Sequence, residues 1–426
     1  MKCFSFTYGE KKDEFKPTKS LSIKSNTTTF TENEMRRSGS GFDSRYNSGT
    51  SMESTGRSSF PSISQRSSNL KVFTYQELKT ATKSFSRSTM LGEGGFGCVY
   101  RGLIKNPEDS TKKMDIAVKK LNGRGLQGHK EWVTEVNVLG IVDHPNLVKL
   151  VGYCADEDER GMQRLLVYEY MPNGSVEHQL LSQTQPPLPW GLRLKIAHQS
   201  ASGLAYLHEE MDFQIIFRDF KASNILLDEE WNTKLSDFGM ARLGPTDGLS
   251  HVSTAIVGTM GYADPEYLQT GHLTCKTDVW SYGVFIYELI TGRRALDRHR
   301  PQREQKLLEW VAPYLSDPKK FRLIIDPRLE GKYTLKSIQK LSIVANRCLV
   351  KNPKSRPKMS EVVEMISRIV EPSIGNVSPQ LPLKMSLRLE SEGESDKRNS
   401  EKRTNSDLGA NSWLSRVWTP KLLKSC

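Results

Sequence analysis

Ile215-Ile216-Phe217-Arg218-Asp219-Phe220-Lys221-Ala222-Ser223-Asn224-Ile225-Leu226-Leu227 is the stretch whose reading decides the fold. Its middle carries an acid, a cation and an amide at short spacing, Asp219, Lys221 and Asn224, and Asp237-Phe238-Gly239 follows. Acidic and amide groups so spaced, and followed by Phe-Gly, rarely arise as mere surface polarity. A carboxylate such as Asp219 can accept the proton of an attacking hydroxyl and orient it, with Lys221 balancing charge beside it. Asn224 and Asp237 offer the oxygen atoms that a hard dication such as Mg²⁺ prefers.

Upstream, Leu91-Gly92-Glu93-Gly94-Gly95-Phe96-Gly97-Cys98-Val99 joins a glycine-rich turn to a strand. Glycines let peptide N–H groups lie close over phosphate oxygens, with no Cβ in the way. Alone, this pattern also fits a dinucleotide-binding fold or an ordinary hairpin. After Gly97, however, the chain continues as a strand instead of opening a helix, and Ile116-Ala117-Val118 follows, closed by Lys119. Further on comes Asp264-Pro265-Glu266. In this order and spacing the signatures resemble those of protein kinases. The resemblance implies ATP and Mg²⁺ as cofactors and protein hydroxyls as acceptors. Lys119 would reach the α- and β-phosphates, Asp219 would aim the hydroxyl at the γ-phosphate, and Asn224 and Asp237 would hold the metal.

Composition sets the frame around that centre. The chain has 426 residues, 36% of them hydrophobic, and a mean hydropathy of -0.53, low for a wholly globular protein. Residues 1–70 are rich in Ser, Thr, Asn and Gly, and 371–426 are polar with mixed charge; both read as disordered tails, unable to bury enough apolar surface to offset their ordering entropy. Trp413 and Trp418 read as a fortuitous pair in the second tail. A lead-in spans 71–84, with Thr74 and Glu77 set for a capping box on a helix through Ala81. From Met90 to Tyr168 short β-branched runs surround one helical stretch, Lys130 to Leu139, and from Val176 to Val370 helical periodicity dominates. The fold class is therefore α+β: a bilobal protein-kinase fold over 85–370, with a small β-rich lobe before a larger helical one.

The six scattered cysteines, with no Cys-x-x-Cys pair, argue against a zinc site or disulfide framework and fit a reducing compartment. The net charge of +12 is spread along the chain without basic–aromatic interleaving, so nucleic acid is not an expected partner. No apolar stretch approaches the ~20 residues that span a bilayer, and the N-terminus lacks a signal-peptide core. The expectation is a cytoplasmic monomer, with or without a lipid anchor.

The stretch from Phe73 to Val370 resembles, more narrowly, plant receptor-like cytoplasmic kinases of subfamily VII, relatives of the Pelle and interleukin-receptor-associated kinases. The likeness rests on Phe73-Thr74-Tyr75-Gln76-Glu77-Leu78, Asn146-Leu147-Val148-Lys149-Leu150, Leu166-Val167-Tyr168-Glu169-Tyr170-Met171, His251-Val252-Ser253-Thr254 and Gly258-Thr259-Met260-Gly261-Tyr262. Lys221-Ala222-Ser223-Asn224 is similar to serine/threonine rather than tyrosine kinases. The resemblance implies that Glu135, rather than Glu131, pairs with Lys119. It makes Tyr168 the gatekeeper, Met171 a hinge contact to adenine, and Ala117 and Leu226 the apolar jaws on the purine. With Leu91 to Gly97 and Val99, these form the expected nucleotide site.

Arg218 beside Asp219 implies control by a phosphorylated loop, for which Ser253, Thr254 and Thr259 are the candidate phosphosites. Phe217 departs from the usual His-Arg-Asp triplet, and Asp264 stands where Ala-Pro-Glu has alanine. Glu266 is expected to pair with Arg356. The opening Met1-Lys2-Cys3-Phe4 resembles the branch that includes the kinases named for compromised pattern-triggered immunity, implying a relay beneath immune receptor kinases at the plasma membrane. Lys2 excludes N-myristoylation, whereas Cys3 is a palmitoylation candidate, aided by Lys2, Lys11, Lys12 and Lys16. The rival reading is a pseudokinase scaffold, which only Phe217 and Asp264 favour.

Overall fold

The β-branched runs of the first half become one sheet, and the later helical periods become a separate layer. The computed structural model describes residues 4–5, 70–94, 97–106, 111–122, 126–159, 161–246 and 248–374. Most of both expected tails, including Cys3, Trp413 and Trp418, lies outside the described residues. In chain order the strands are β1 (Phe4–Ser5), β2 (Lys71–Val72), β3 (Met90–Gly94), β4 (Gly97–Lys105), β5 (Lys113–Leu121), β6 (Leu150–Asp158), β7 (Gly161–Glu169), β8 (Ile215–Ile216), β9 (Ile225–Leu227), β10 (Thr233–Leu235), β11 (Arg242–Leu243), β12 (Val252–Ser253), β13 (Val257–Gly258) and β14 (His272–Leu273). The helices are α1 (Tyr75–Ala81), α2 (Leu126–Leu139), α3 (Val176–Leu181), α4 (Trp190–Ala205), α5 (Pro265–Thr270), α6 (Cys275–Thr291), α7 (Leu307–Val311), α8 (Pro318–Phe321), α9 (Leu335–Cys348) and α10 (Met359–Ile374).

The six-stranded sheet has the order β2-β6-β7-β5-β4-β3. Its pairs are antiparallel except for β2, which runs parallel to β6. Alternation along β7 shows why both faces are covered. Leu165 and Val167 join Phe73, Leu78, Ile116 and Val118 in one apolar cluster, while Leu166 and Tyr168 join the main core with Val136 and Leu139 of α2. The lead-in helix α1 covers the first face. Its capping box forms as read: the Thr74 hydroxyl accepts from the Glu77 amide, and the Glu77 carboxylate accepts from the Thr74 amide at 2.8 Å. Helix α2 begins at Leu126, one turn before the expected Lys130.

Helix α6 is the axis of the helical lobe, buried without interruption from Thr277 to Thr291 and packed by α4 and α9. A helix enclosed on every side is expected to be apolar all round, so its carboxylates, Asp278 and Glu288, stand out.

The ion pair expected between Glu266 and Arg356 is not formed; Asp264 takes the position instead. Arg356 donates from Nη1 to Asp264 Oδ2 at 2.5 Å and from Nη2 to Oδ1 at 2.8 Å, with both side chains buried. Asp264 is also the N-cap of α5, accepting from the Glu266 amide at 3.1 Å, with Pro265 at the first helical position. A short side chain at the cap reaches inward, whereas Glu266, further along α5, remains half-buried. The departure from alanine at 264 is thus the anchor of this loop. Removing one partner of a buried, hydrogen-bonded pair typically costs about 3–5 kcal/mol. Asp264→Ala is expected to lower unfolding stability by about that amount, and Glu266→Ala by under about 1 kcal/mol. Denaturant melts of the two variants check this, and a larger loss in Glu266→Ala would reverse the assignment.

Glu288 lies at the other end of α6. Its carboxyl accepts from the Ala295 amide at 2.7 Å and bonds the hydroxyl of Tyr262, which in turn accepts from the Ala222 amide at 3.0 Å. Burial pushes the Glu288 carboxyl up to about 8, with the Tyr262 and Ala295 bonds offsetting only part of the rise. The folded chain therefore keeps a proton that the unfolded chain releases near 4.5. Stability from this group is complete below that lower value and is lost as pH rises towards about 8. Between pH 5.5 and 8 the native chain is expected to lose more thermal stability than Glu288→Gln, which has no proton to release. Parallel melting curves for the two across that range would contradict this.

Candidate active site

The catalytic stretch leaves β8 through a backbone turn that few side chains adopt. Arg218 has φ +73°, a conformation costing roughly 1–3 kcal/mol outside glycine. Asp278 holds it there. Its Oδ1 accepts from the Arg218 amide at 2.7 Å, its Oδ2 accepts from the Phe217 amide at 2.8 Å, and His208 Nε2 lies 2.8 Å from the same Oδ2. Beyond the turn, Asp219 is buried and gripped from three sides. Lys221 Nζ donates to its Oδ2 at 2.7 Å, the Thr259 hydroxyl to its Oδ1 at 2.7 Å, and Asn224 Nδ2 to its main-chain oxygen at 3.0 Å. A carboxylate so fixed presents its remaining lone pairs in one orientation, as a base acting on an incoming hydroxyl requires.

The β9–β10 hairpin carries the second acid back to the first. Leu235 pairs with Ile225, and the Ser236 amide and hydroxyl both donate to the Asn224 carbonyl, at 2.8 and 2.9 Å. Asp237 follows in the left-handed region at φ +68°. Its Oδ1 accepts from Lys119 Nζ at 2.7 Å, and Lys119 also donates to both Glu135 oxygens, at 3.2 and 3.1 Å. Of the two acids on α2, Lys119 therefore meets Glu135, while Glu131 packs beneath Gly239. Tyr168 donates its hydroxyl to Glu135 Oε2 at 2.6 Å, locking the acid's rotamer from the hinge side.

These contacts set the charge states. Burial alone would depress the Lys119 ammonium, but Asp237 and Glu135 more than offset it and hold the pKa above the ordinary lysine value. Burial alone would raise Asp237, yet Lys119 reverses this and keeps its carboxyl below the usual range. An ionised Asp237 and the carbonyl oxygen of Asn224, whose amide N–H is directed at Asp219, make a donor set that fits Mg²⁺. Among the described residues no group of three or more His, Cys, Asp or Glu side chains could hold a metal. Mg²⁺ needs none, since it takes one or two protein oxygens and completes its shell with phosphate and water.

The nucleotide positions expected from sequence fall on the β3–β4 hairpin, β5, the segment after β7 and β9. Gly92 pairs with Val99 and Gly94 with Gly97 across the β3–β4 hairpin, while Gly95 and Phe96 lie outside the described residues. A Cβ on Gly97 would stand 2.0 Å from the Lys120 carbonyl oxygen, so no other residue fits there. Leu91 and Glu93 are exposed on the same strand. Val99 pairs with Lys119, and Ala117 with Tyr168. Met171 closes a turn to Gly174, whose carbonyl accepts from Leu227 at 2.9 Å, bringing the hinge beside Leu226.

The three hydroxyls proposed for regulation separate. Ser253 is exposed on β12, and Thr254 is half-buried, its Oγ1 accepting from Arg218 Nη2 at 3.1 Å. Arg218 also bonds Tyr267 and the Ala255 carbonyl, so it links the catalytic turn to this loop. Thr259, the third candidate phosphosite, is buried, donating to Asp219 and accepting from Lys221. Phe217 fills the histidine position with an edge-to-face contact on Phe238, ring centroids 4.9 Å apart. The sequence reading missed Asp278 and Tyr262. An acid at the head of the largely apolar run Val279 to Ile290 was the available signal for the first.

Comparison with known proteins agrees with this geometry. Residues 85–366 match the family model described as protein tyrosine and serine/threonine kinase. Serine/threonine-protein kinase PCRK1 of Arabidopsis thaliana is 62% identical over 428 residues, spanning 100% of both chains. PCRK2 of the same plant is 60% identical over 430 residues, again with 100% of each covered. The EPD1-interacting receptor-like cytoplasmic serine/threonine-protein kinase 5A of Gossypium barbadense is 50% identical over 75% of this chain and 69% of its own. With Asp219 bonded by Lys221 and Asn224 and with Lys119 joined to Glu135 and Asp237, the chain belongs to the protein tyrosine and serine/threonine kinase family, on the side of the plant serine/threonine-protein kinases.

Proposed function

We propose that this protein transfers the γ-phosphate of ATP to serine and threonine hydroxyls of proteins, with Asp219 as the acid–base group, and that it does so beneath receptor kinases of the plant cell surface. The observation that carries the reading is the joint grip on Asp219 by Lys221, Thr259 and Asn224, beside the Lys119–Glu135–Asp237 triad. Asp219 orients the acceptor hydroxyl and takes its proton as the new O–P bond forms and the bond to the β-phosphate oxygen breaks. Lys221 neutralises charge gathering beside that carboxylate. Lys119, held by Glu135, steadies the α- and β-phosphates, and the glycine-rich β3–β4 hairpin of Gly92, Gly94 and Gly97 covers them. Asp237 and Asn224 would hold Mg²⁺, which when bound would supply neutralisation of phosphate charge. Ser253 and Thr254 are the regulatory phosphoacceptors, their phosphates neutralising Arg218. Thr259 serves instead to position Asp219.

Asp219→Asn and Lys119→Met are each expected to lower autophosphorylation about 10²–10⁴-fold, the first without a matching loss in melting temperature. Equal signal from native chain and both variants would favour a scaffold.

The resemblance of the N-terminus and the plant relatives support a place in immune signalling, with an upstream receptor kinase as activator and the protein acting as a monomer. No helix among the described residues is long and apolar enough to cross a membrane. Attachment to the cytoplasmic face of the plasma membrane is proposed through Cys3, which lies outside the described residues. One acyl chain anchors only marginally, and nearby lysines add roughly 1 kcal/mol each at an anionic leaflet. Fractionation of plant cells is expected to show the membrane-bound share falling in Cys3→Ser; an unchanged share would remove this proposal.

A further inference from the structure

Strand β13 carries a partner from the far end of the chain. Phe4 pairs with Gly258 and Ser5 with Val257, antiparallel. The edge they occupy runs directly into Thr259, whose hydroxyl donates to Asp219 Oδ1 at 2.7 Å. A strand advances about 3.4 Å per residue. Thr259 directly follows Gly258, so the paired edge ends one such step from the residue that bonds the carboxylate assigned to the chemistry. Gly258 suits the backbone conformation of this edge. It has φ +145°, and the nearest atom to a Cβ there would be the Arg218 carbonyl oxygen at 3.8 Å.

An exposed strand edge is a template for an extended peptide, with main-chain hydrogen bonds supplying the attraction. A two-residue ladder is weak as a free contact. Tethering changes that, because a flexible linker holds a segment near its site at effective concentrations up to the millimolar range. Protein substrates reaching Asp219 along the same edge must displace it.

We propose that the N-terminal segment containing Phe4 and Ser5 occupies, in cis, the peptide-docking edge beside Asp219, so that the full chain phosphorylates proteins in competition with its own N-terminus. The proposal rests on the assignment of Asp219 as the acid–base group. It is tested with three forms: the full chain, a chain lacking residues 1–6, and a full chain carrying Phe4→Pro and Ser5→Pro, which removes two strand N–H donors. With myelin basic protein as substrate, the two altered forms are expected to show a KM about threefold to tenfold lower than the full chain, at unchanged KM for ATP. A fluorescein-labelled peptide of residues 1–12 is expected to bind the shortened chain in fluorescence anisotropy and to be displaced by myelin basic protein. Equal protein KM in all three forms overturns the proposal, as does a labelled peptide that fails to bind. The peptide is also titrated onto shortened chain carrying Asp219→Asn. Binding there without turnover in the native chain marks a failed catalytic assignment, separately from a failed docking assignment.

Discussion

Everything at the catalytic centre depends on one buried carboxylate, Asp278, accepting two consecutive main-chain N–H groups. Phe217 and Arg218 could satisfy those donors in an ordinary strand, but then Arg218 would not adopt its left-handed turn and Asp219 would not emerge facing Lys221 and Thr259. Charge-assisted bonds of this kind are roughly twice as strong as neutral ones, enough to offset the strain of one non-glycine residue at positive φ. Because Asp278 belongs to helix α6, buried from Thr277 to Thr291, the catalytic turn inherits the rigidity of an enclosed element. Tyr262 and Glu288 extend the same logic, tying Ala222 of the catalytic stretch to the other end of that helix.

The sheet contributes its half of the site by the same economy of placement. Lys119 lies on β5 opposite Val99, so the strand that carries the glycine-rich turn also fixes the lysine beneath it. Its ammonium spans Glu135 from α2 and Asp237 from the β9–β10 hairpin, and Tyr168 from β7 restrains the same glutamate. Two separate elements thus meet one cation, and a third restrains one of its partners. In a buried site the low effective dielectric makes each of these contacts stronger than it would be in water, and makes losing one more damaging.

Much of this was legible in the chain itself. The acidic and amide residues around Asp219, the glycine turn and the lysine strand gave the fold class and the candidate centre, because each needs a particular side chain at a particular local spacing. The capping box at Thr74 was legible for the same reason: donor and acceptor are three residues apart. What was misjudged involved partners distant in sequence. Arg356 was assigned to Glu266 by pattern, but the inward direction of an N-cap side chain delivers it to Asp264. Thr259 was read as a candidate phosphosite, yet the path of the loop after β13 buries it against Asp219.

Local chemistry alone determined that this chain holds a phosphate-facing glycine turn, a charged catalytic stretch and a hard-oxygen pair, since those depend on residue type and short spacing. Tertiary structure alone decided which carboxylate meets which cation, which hydroxyl is closed off, and which strand edge receives Phe4 and Ser5. The physical reason is that long-range hydrogen bonds and ion pairs depend on side-chain direction and burial, and these are fixed only once helices and strands have packed.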